Sequence, residues 1–473
     1  MISGRKEETQ VLRRVLDETE SSFVAVYGRR RIGKTYLIRE VYKEQIIFDC
    51  SGLHDKSTSQ QLECFTNSLA EHFGLNPKKY LLQSWLEAFE LLKKHISGIR
   101  NKKKKVVFFD EISWFDTPKS GFKAALDLFW NQYATKRKDI VLVICGSAAF
   151  WIINKIVNDR GGFHNRITTR LELQPFTLPE TKEYLQRRKV NLYNQDITQL
   201  YMATGGIPFY LKDIRNGQSV QQIIQQLFFS KTAPLKNEFD NLYAALFKKS
   251  DWHINVIKAL ASKNKGLTRN EILKQTRLPS GGGLTTVLNE LATCGFVKEI
   301  YPINRQKADM LYRLMDNYSI FYFKFLSENK AQNKKWTDLA NTASYKTWCG
   351  YAFENICLQH IENIKHKLGI SGILTNEYSW QKISRGDSSG VQIDFIIDRN
   401  DNAINLCEAK FHNTVFEMDR HYANKLSERK AVFINKTKTR KNVFVTMITL
   451  NGARPNAHFN SVVTNQLTAD DLF

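Results

Sequence analysis

No run in this 473-residue chain approaches the ~20 consecutive apolar residues that a helix needs to cross a bilayer. The first ten residues, MISGRKEETQ, are polar and charged and lack the apolar core of a secretory leader. With 9 prolines and 24 glycines the chain is too poor in both for a collagenous or low-complexity protein. Its 7 cysteines form no CxxC pair and no cluster with histidine at zinc spacing. They are expected as buried free thiols in a reducing compartment. Acidic residues are scarce beside basic ones, 47 against 69, which leaves a net charge of +22. These absences predict a soluble, cytoplasmic protein with no membrane association. The charge favours a polyanionic partner, and nucleic acid is the commonest. An apolar fraction of 42% excludes wholesale disorder, and the length suggests about three domains.

The N-terminal region carries the strongest motif. Phe23–Tyr27 (FVAVY) reads as a buried strand and runs into Gly28-Arg29-Arg30-Arg31-Ile32-Gly33-Lys34-Thr35, a full GxxxxGK[ST] match, followed by the helical YLIREVYKE. Glycines at these places let backbone N–H groups turn inward around phosphates, and the helix start adds its positive dipole end. Lys34 would reach the β/γ-phosphates of ATP or ADP, and Thr35 would hold Mg²⁺. A second strand, Val106–Phe109, ends in Asp110-Glu111. Asp110 would hold the Mg²⁺ shell, and Glu111 would orient or deprotonate the attacking water. A third strand, Ile140–Cys145, ends in Gly146-Ser147, where a hydroxyl can reach the γ-phosphate or its water.

GRRRIGKT, VVFFDEI and VLVICGS in this order resemble the archaeal-type ATPases related to the AAA+ and STAND classes. Ser3-Gly4-Arg5 with Glu8 is similar to that family's N-terminal box near the adenine. His164-Asn165-Arg166 and Arg170, before Leu-Gln-Pro175-Phe176, resemble its arginine-bearing segment. Gly205-Gly206-Ile207-Pro208 is similar to its GGxP motif in a small helical subdomain. The resemblance implies that Arg166 or Arg170 senses the γ-phosphate and that Pro208 lies against the base. Self-association or a protein partner is a further expectation.

From Asp251 the chain reads as short helices: VIKALAS, then Thr268 capping RNEILKQ, then LTTVLNELATCGF. A strand-like GFVKEI and a polar hairpin, YPINRQKADMLYRL, complete a winged helix-turn-helix pattern. Its third helix offers Thr285, Thr286, Asn289, Glu290 and Thr293, with no Lys or Arg before Lys298. Such a surface neutralises phosphates poorly, so a regulatory lid is the expected use.

In the C-terminal region Val391–Asp398 (VQIDFIID) alternates, which predicts Val391, Ile393, Phe395 and Ile397 on one face and Asp394, Ile396 and Asp398 on the other. Glu408 and Lys410 in Ala403–Phe411 leave one face of the next strand. Two carboxylates and a lysine brought together can bind Mg²⁺ through oxygen ligands and position a water against a phosphate. Upstream, Gly350–Ile361 predicts an amphipathic helix presenting Glu354 toward the same cluster. Glu354, Asp394, Glu408 and Lys410 resemble the PD-(D/E)xK nuclease core, with Ile393 where the motif has proline. The resemblance implies catalytic roles for all four, with Asp394 and Glu408 as metal ligands. Asn413–Arg429 is expected to be helical, and Arg420, His421, Lys425, Arg429 and the basic residues after them are expected to line a DNA groove. Lys102–Lys105 reads as a solvated charge run.

The sequence therefore predicts an α/β protein: a P-loop NTPase with a parallel sheet and helical subdomain over 1–230, a winged helix-turn-helix over 240–325, and a restriction-endonuclease-like α/β domain over 340–473. The expected function is an ATP-regulated, Mg²⁺-dependent DNA nuclease. The alternative is an ATP-switched DNA- or protein-binding regulator with an inactive nuclease-like domain.

Overall fold

The computed structural model describes residues 2–158, 163, 165–247, 250–279, 281–303, 309–327, 334–382 and 390–473. His164 and the tip of the polar hairpin, 304–308, lie outside the described residues. The chain divides into two compact units, Met1–Pro175 and Phe176–Phe473.

The first unit is built on five parallel strands: β1 (Ser22–Gly28), β2 (Ile46–Ser51), β3 (Lys105–Asp110), β4 (Ile140–Gly146) and β5 (Thr169–Leu173). Their order across the sheet is β2-β3-β4-β1-β5. Every residue of β1, β3 and β4 is buried, which explains their unbroken apolar runs. Because β1 lies between β4 and β5 while the chain leaves it for the far edge, the strand order reverses there. In open α/β sheets the ligand crevice opens at such a switch point, beyond the strands' carboxyl ends. This is an α/β P-loop NTPase fold. The lysine run is not simply solvated, contrary to expectation. Lys105 is buried at the start of β3 and donates to Asp139 at 2.7 Å, while Lys104 donates to the carbonyls of Glu20 and Lys138.

The second unit holds two sheets. The smaller is antiparallel, with β6 (Leu267–Thr268), β7 (Val297–Ile300) and β8 (Leu311–Leu314) in the order β6-β8-β7. Thr268 caps the Arg269–Thr276 helix in a capping box with Glu271, as its sequence suggests. The Gly282–Thr293 helix exposes Thr285, Thr286 and Asn289, while Glu290 is held by His253 at 2.6 Å.

The larger sheet is mixed and comprises β9 (Thr375–Lys382), β10 (Val391–Arg399), β11 (Ala403–Lys410), β12 (Asn442–Thr449) and β13 (Asn465–Thr468). The order is β13-β12-β11-β10-β9, with β9 and β10 antiparallel to their neighbours and β11 to β13 parallel. The two-face alternation expected for β10 does not hold. Its pairing with β9 shifts between Ile393 and Ile396, so Val391, Ile393 and Ile396 all enter one core with Ile404, Leu406 and Phe433. A bulge of this kind flips the faces beyond it and re-aims a side chain, here around Asp394.

Two helix expectations are also corrected. The basic helix spans Arg420–Thr437, starting at its Asp419 cap rather than at Asn413. The Ala343–Gln359 helix is not amphipathic near Glu354, since every residue from Ala352 to Leu358 is buried. All seven cysteines are free thiols, and all but Cys64 are buried.

Candidate functional site

At the end of β1 the chain turns through Gly28 with φ 142°, where a Cβ would stand 2.2 Å from the Leu173 carbonyl oxygen. No other residue fits between the loop and β5. Gly33 precedes the Lys34–Val41 helix, so the phosphate-facing N–H groups of the motif sit at a helix start. Lys34 is buried, and its ammonium donates to the carbonyls of Gly28 and Arg29 at 3.0 and 2.8 Å. The loop's own oxygens thus hold the positive charge within the cradle. Arg5 supports the loop from outside. It is buried, bonded to Glu8, and reaches the carbonyls of Ile32 and Gln174.

The second half of the site comes from β3 and β4. Thr35 donates its hydroxyl to Asp110 at 2.9 Å. Burial, followed by the adjacent Glu111, raises the Asp110 carboxyl above its usual range. Glu111 lies just past β3 in the left-handed region, φ 47°. Its carboxylate accepts the backbone N–H of Ser147 at 3.1 Å and the Ser147 hydroxyl at 2.9 Å. The Lys34–Thr35–Asp110–Glu111–Ser147 set is therefore gathered across the carboxyl ends of β1, β3 and β4. A hydroxyl beside a carboxylate is the oxygen donor set that Mg²⁺ takes, and the cradle fits a nucleotide's phosphates.

Residues 3–214 match a family described as an ATPase domain predominantly from Archaea. They are an archaeal-type ATPase domain. An uncharacterized protein of Methanocaldococcus jannaschii is 23% identical over 427 residues, covering 87% of this chain and 88% of its own length. An uncharacterized ATP-binding protein of the same organism is 40% identical over 47 residues, 10% of this chain and 80% of its own. Among solved structures, the Walker-type ATPase of Pyrococcus abyssi aligns with a TM-score of 0.50 at 18% identity, covering 68% of this chain and 96% of that one. That likeness is one of fold.

Arg166 and Arg170 stand back from the cradle along the chain. Arg170 pairs in register with Ala25, three residues before Gly28, and Arg166 precedes β5 beyond the level of Phe23. At ~3.3 Å per residue, Arg170 lies about 10 Å short of the loop along the strand. Pro208 falls in the second unit, where it opens the Pro208–Leu211 helix behind a Gly206 carbonyl that accepts from the Phe176 N–H.

The C-terminal cluster forms around β10 and β11. Glu408 is buried and accepts from the Tyr422 hydroxyl at 2.5 Å, Arg429 at 2.8 Å and Lys410 at 3.2 Å. Burial opposes its charge, yet Lys410 and Arg429 hold it below the usual carboxylate range. Asp394 accepts the Ala409 N–H at 3.0 Å and pairs with Lys265 at 3.4 Å. Burial and then the carboxylates of Glu408 and Glu354 push Asp394 up to about 7. Glu354 is buried against Arg313 at 2.8 Å. The four residues named from the sequence thus come into one neighbourhood, but three further bases, Lys265, Arg313 and Arg429, arrive with them. Among the described residues no group of three or more acids, histidines or cysteines is arranged to hold a metal ion. A divalent metal does not fit the cluster while these ion pairs stand. Lys265 and Arg313 carry no sequence signal toward this site, since they lie more than forty residues upstream of Glu354, in the turn before β6 and on β8.

Among the described residues no helix is long and apolar enough to cross a membrane.

Proposed function

We propose that the ATPase domain binds and hydrolyses ATP with Mg²⁺, and that the C-terminal sheet acts on DNA as a nuclease. The continuous contact chain from Thr35 through Asp110 and Glu111 to Ser147 beside the P-loop carries the first part. When bound, Mg²⁺ supplies charge neutralisation for the phosphates. Thr35 and Asp110 are its holders, Lys34 leaves the loop carbonyls for the phosphates, and Glu111 aligns the water. Ser147 reads the γ-phosphate through the hydroxyl it now directs at Glu111.

The approach of Asp394, Glu408 and Lys410 on two paired strands supports the nuclease part. The basic face of the Arg420–Thr437 helix, with Arg420 and Lys425 at its start, supports a DNA backbone as partner. Arg429 belongs to Glu408 rather than to that face.

A second reading is favoured by the ion pairs themselves. If they never open, the domain is a DNA-binding platform that an ATPase switches. Incubation of the full chain with linear, nicked and single-stranded DNA, with Mg²⁺ or Mn²⁺ and with or without ATP, separates the two. Products that vanish in Asp394→Ala establish the nuclease. No product under any condition, with DNA retained, establishes the platform.

A further inference from the structure

Cys64, the one cysteine that is not buried, lies on the Thr58–Phe73 helix. That helix packs on β2 through Phe65, whose ring stands 5.0 Å from the ring of Phe48. The Cys64 thiol donates to the Ser51 carbonyl at 3.6 Å. Cys50, one residue before Ser51, is buried on the side of β2 that faces the helix. Its thiol is hydrogen-bonded to Cys64 and to Ser68, one helical turn further along. The two sulfurs therefore meet across the helix–strand contact as free thiols.

The pair is unequal in the way that thiol oxidation needs. The hydrogen bond with Cys50 lowers Cys64 to about 7, so a solvent-reachable thiolate is present near neutral pH. The same bond, and burial after it, raise Cys50, which keeps its proton beside that thiolate. Cys145, Cys357 and Cys407 are instead sealed from solvent and pushed up by burial. The end of β2 then leads to the nucleotide cradle. Ser51 pairs in register with Asp110, and the Gly52 N–H donates to the Asp110 carbonyl at 2.9 Å. A Cβ on Gly52 would meet the Glu111 carbonyl oxygen at 2.7 Å, so this contact has no slack. The helix grips the same loop, since Gln61 accepts the Leu53 N–H at 2.9 Å and donates to its carbonyl at 2.6 Å.

We propose that Cys64 and Cys50 form an oxidation site for hydrogen peroxide, and that their disulfide slows ATP hydrolysis. The Cys64 thiolate attacks the peroxide O–O bond and takes one oxygen as a sulfenic acid, while the other leaves as water after protonation. The Cys50 sulfur then displaces the sulfenic oxygen, which departs with the Cys50 proton as a second water. Both thiols are oxidised to one disulfide, and the peroxide is reduced by the same electron pair. Closing the sulfurs to about 2.05 Å draws the helix onto β2 and takes Cys64 away from the Ser51 carbonyl. The displacement passes through Ser51 and Gly52 to Asp110 and Glu111. This effect rests on the reading of those acids as the Mg²⁺ and water groups of an ATPase; the disulfide itself does not.

The test treats the reduced full chain with hydrogen peroxide, then blocks free thiols and follows both non-reducing tryptic peptides and ATP turnover. Trypsin places Cys50 in peptide 44–56 and Cys64 in peptide 57–78, so the disulfide appears as one joined pair that dithiothreitol splits. Wild type should give that pair and Cys64→Ser should not. In Cys50→Ala, Cys64 should stop at a sulfenic acid that dimedone traps. Oxidation should slow wild-type turnover about tenfold or more, as a displacement of about 1 Å at an active site can, with recovery in dithiothreitol. Cys64→Ser should hydrolyse ATP as reduced wild type does and keep that rate in peroxide. No joined peptides in wild type, turnover unchanged by the disulfide, or an equal loss in Cys64→Ser overturns the proposal. Reduced wild type without any turnover sinks the ATPase reading and the coupling with it, while the disulfide stands or falls on the peptides.

Discussion

Ser147 holds Glu111 by two groups at once, its backbone N–H at 3.1 Å and its hydroxyl at 2.9 Å, across the ends of β4 and β3. The carboxylate assigned to the attacking water is thereby fixed by the residue assigned to the γ-phosphate. Ser147→Ala keeps the backbone bond and removes the hydroxyl. A hydrogen bond to a charged group contributes ~1.5–3 kcal/mol, so ATP turnover should fall about tenfold or more while ATP affinity stays nearly constant. Steady-state hydrolysis together with equilibrium nucleotide binding checks this. Unchanged turnover would make the contact incidental.

Glu354, named from the sequence as a member of the acid cluster, is also paired with Arg313, and both side chains are sealed from solvent. Glu354→Ala leaves a buried guanidinium without its carboxylate and should cost ~3–5 kcal/mol of stability. Glu354→Gln, which keeps an acceptor, should cost less. Urea denaturation of the metal-free protein gives both values.

His360 sets a pH dependence in the second unit. Burial lowers its pKa to about 4. Its Nε2 accepts the Leu178 N–H at 2.9 Å, which requires the neutral ring. The ring gains a proton more easily when unfolded, so its contribution is full above the ordinary pKa of about 6.5 and is lost as pH falls toward 4. From pH 7.5 to pH 5 the loss should be roughly 2 kcal/mol. Denaturation at the two pH values should show that loss in wild type but not in His360→Gln. Parallel behaviour of the two proteins would remove His360 from the account.

Binding of duplex DNA should weaken with salt at a log–log slope of about −0.9 per phosphate neutralised. Charge reversal at Arg420 and Lys425 should flatten that slope more than reversal at Lys102 and Lys103. Filter binding across a salt series measures it. Equal effects would mean that the positive charge is diffuse.

The nucleotide cradle was legible because its chemistry is local. GxxxxGK[ST] fixes loop and helix within eight residues, and the acids follow apolar strands whose burial on both faces leaves unbroken runs. What escaped depended on partners distant in the chain. The bulge near Asp394 appears only when β9 is laid beside β10, and it moved Ile396 to the face of Ile393. Lys265, Arg313 and Tyr422 reach the acids through tertiary packing, with no spacing that announces them. Arg429 looked like a groove residue because helical periodicity cannot reveal that a buried glutamate lies beneath it.

The central claim is that Glu111 serves ATP hydrolysis and not ATP binding. The most direct measurement is single-turnover hydrolysis of radiolabelled ATP by wild type and Glu111→Gln, with nucleotide affinity determined on the same preparations. General-base or water-orienting groups contribute typically ~10²–10⁴-fold. Glu111→Gln should therefore bind ATP as wild type does and hydrolyse it at least about a hundredfold more slowly. Loss of binding, or hydrolysis at the wild-type rate, would contradict the account.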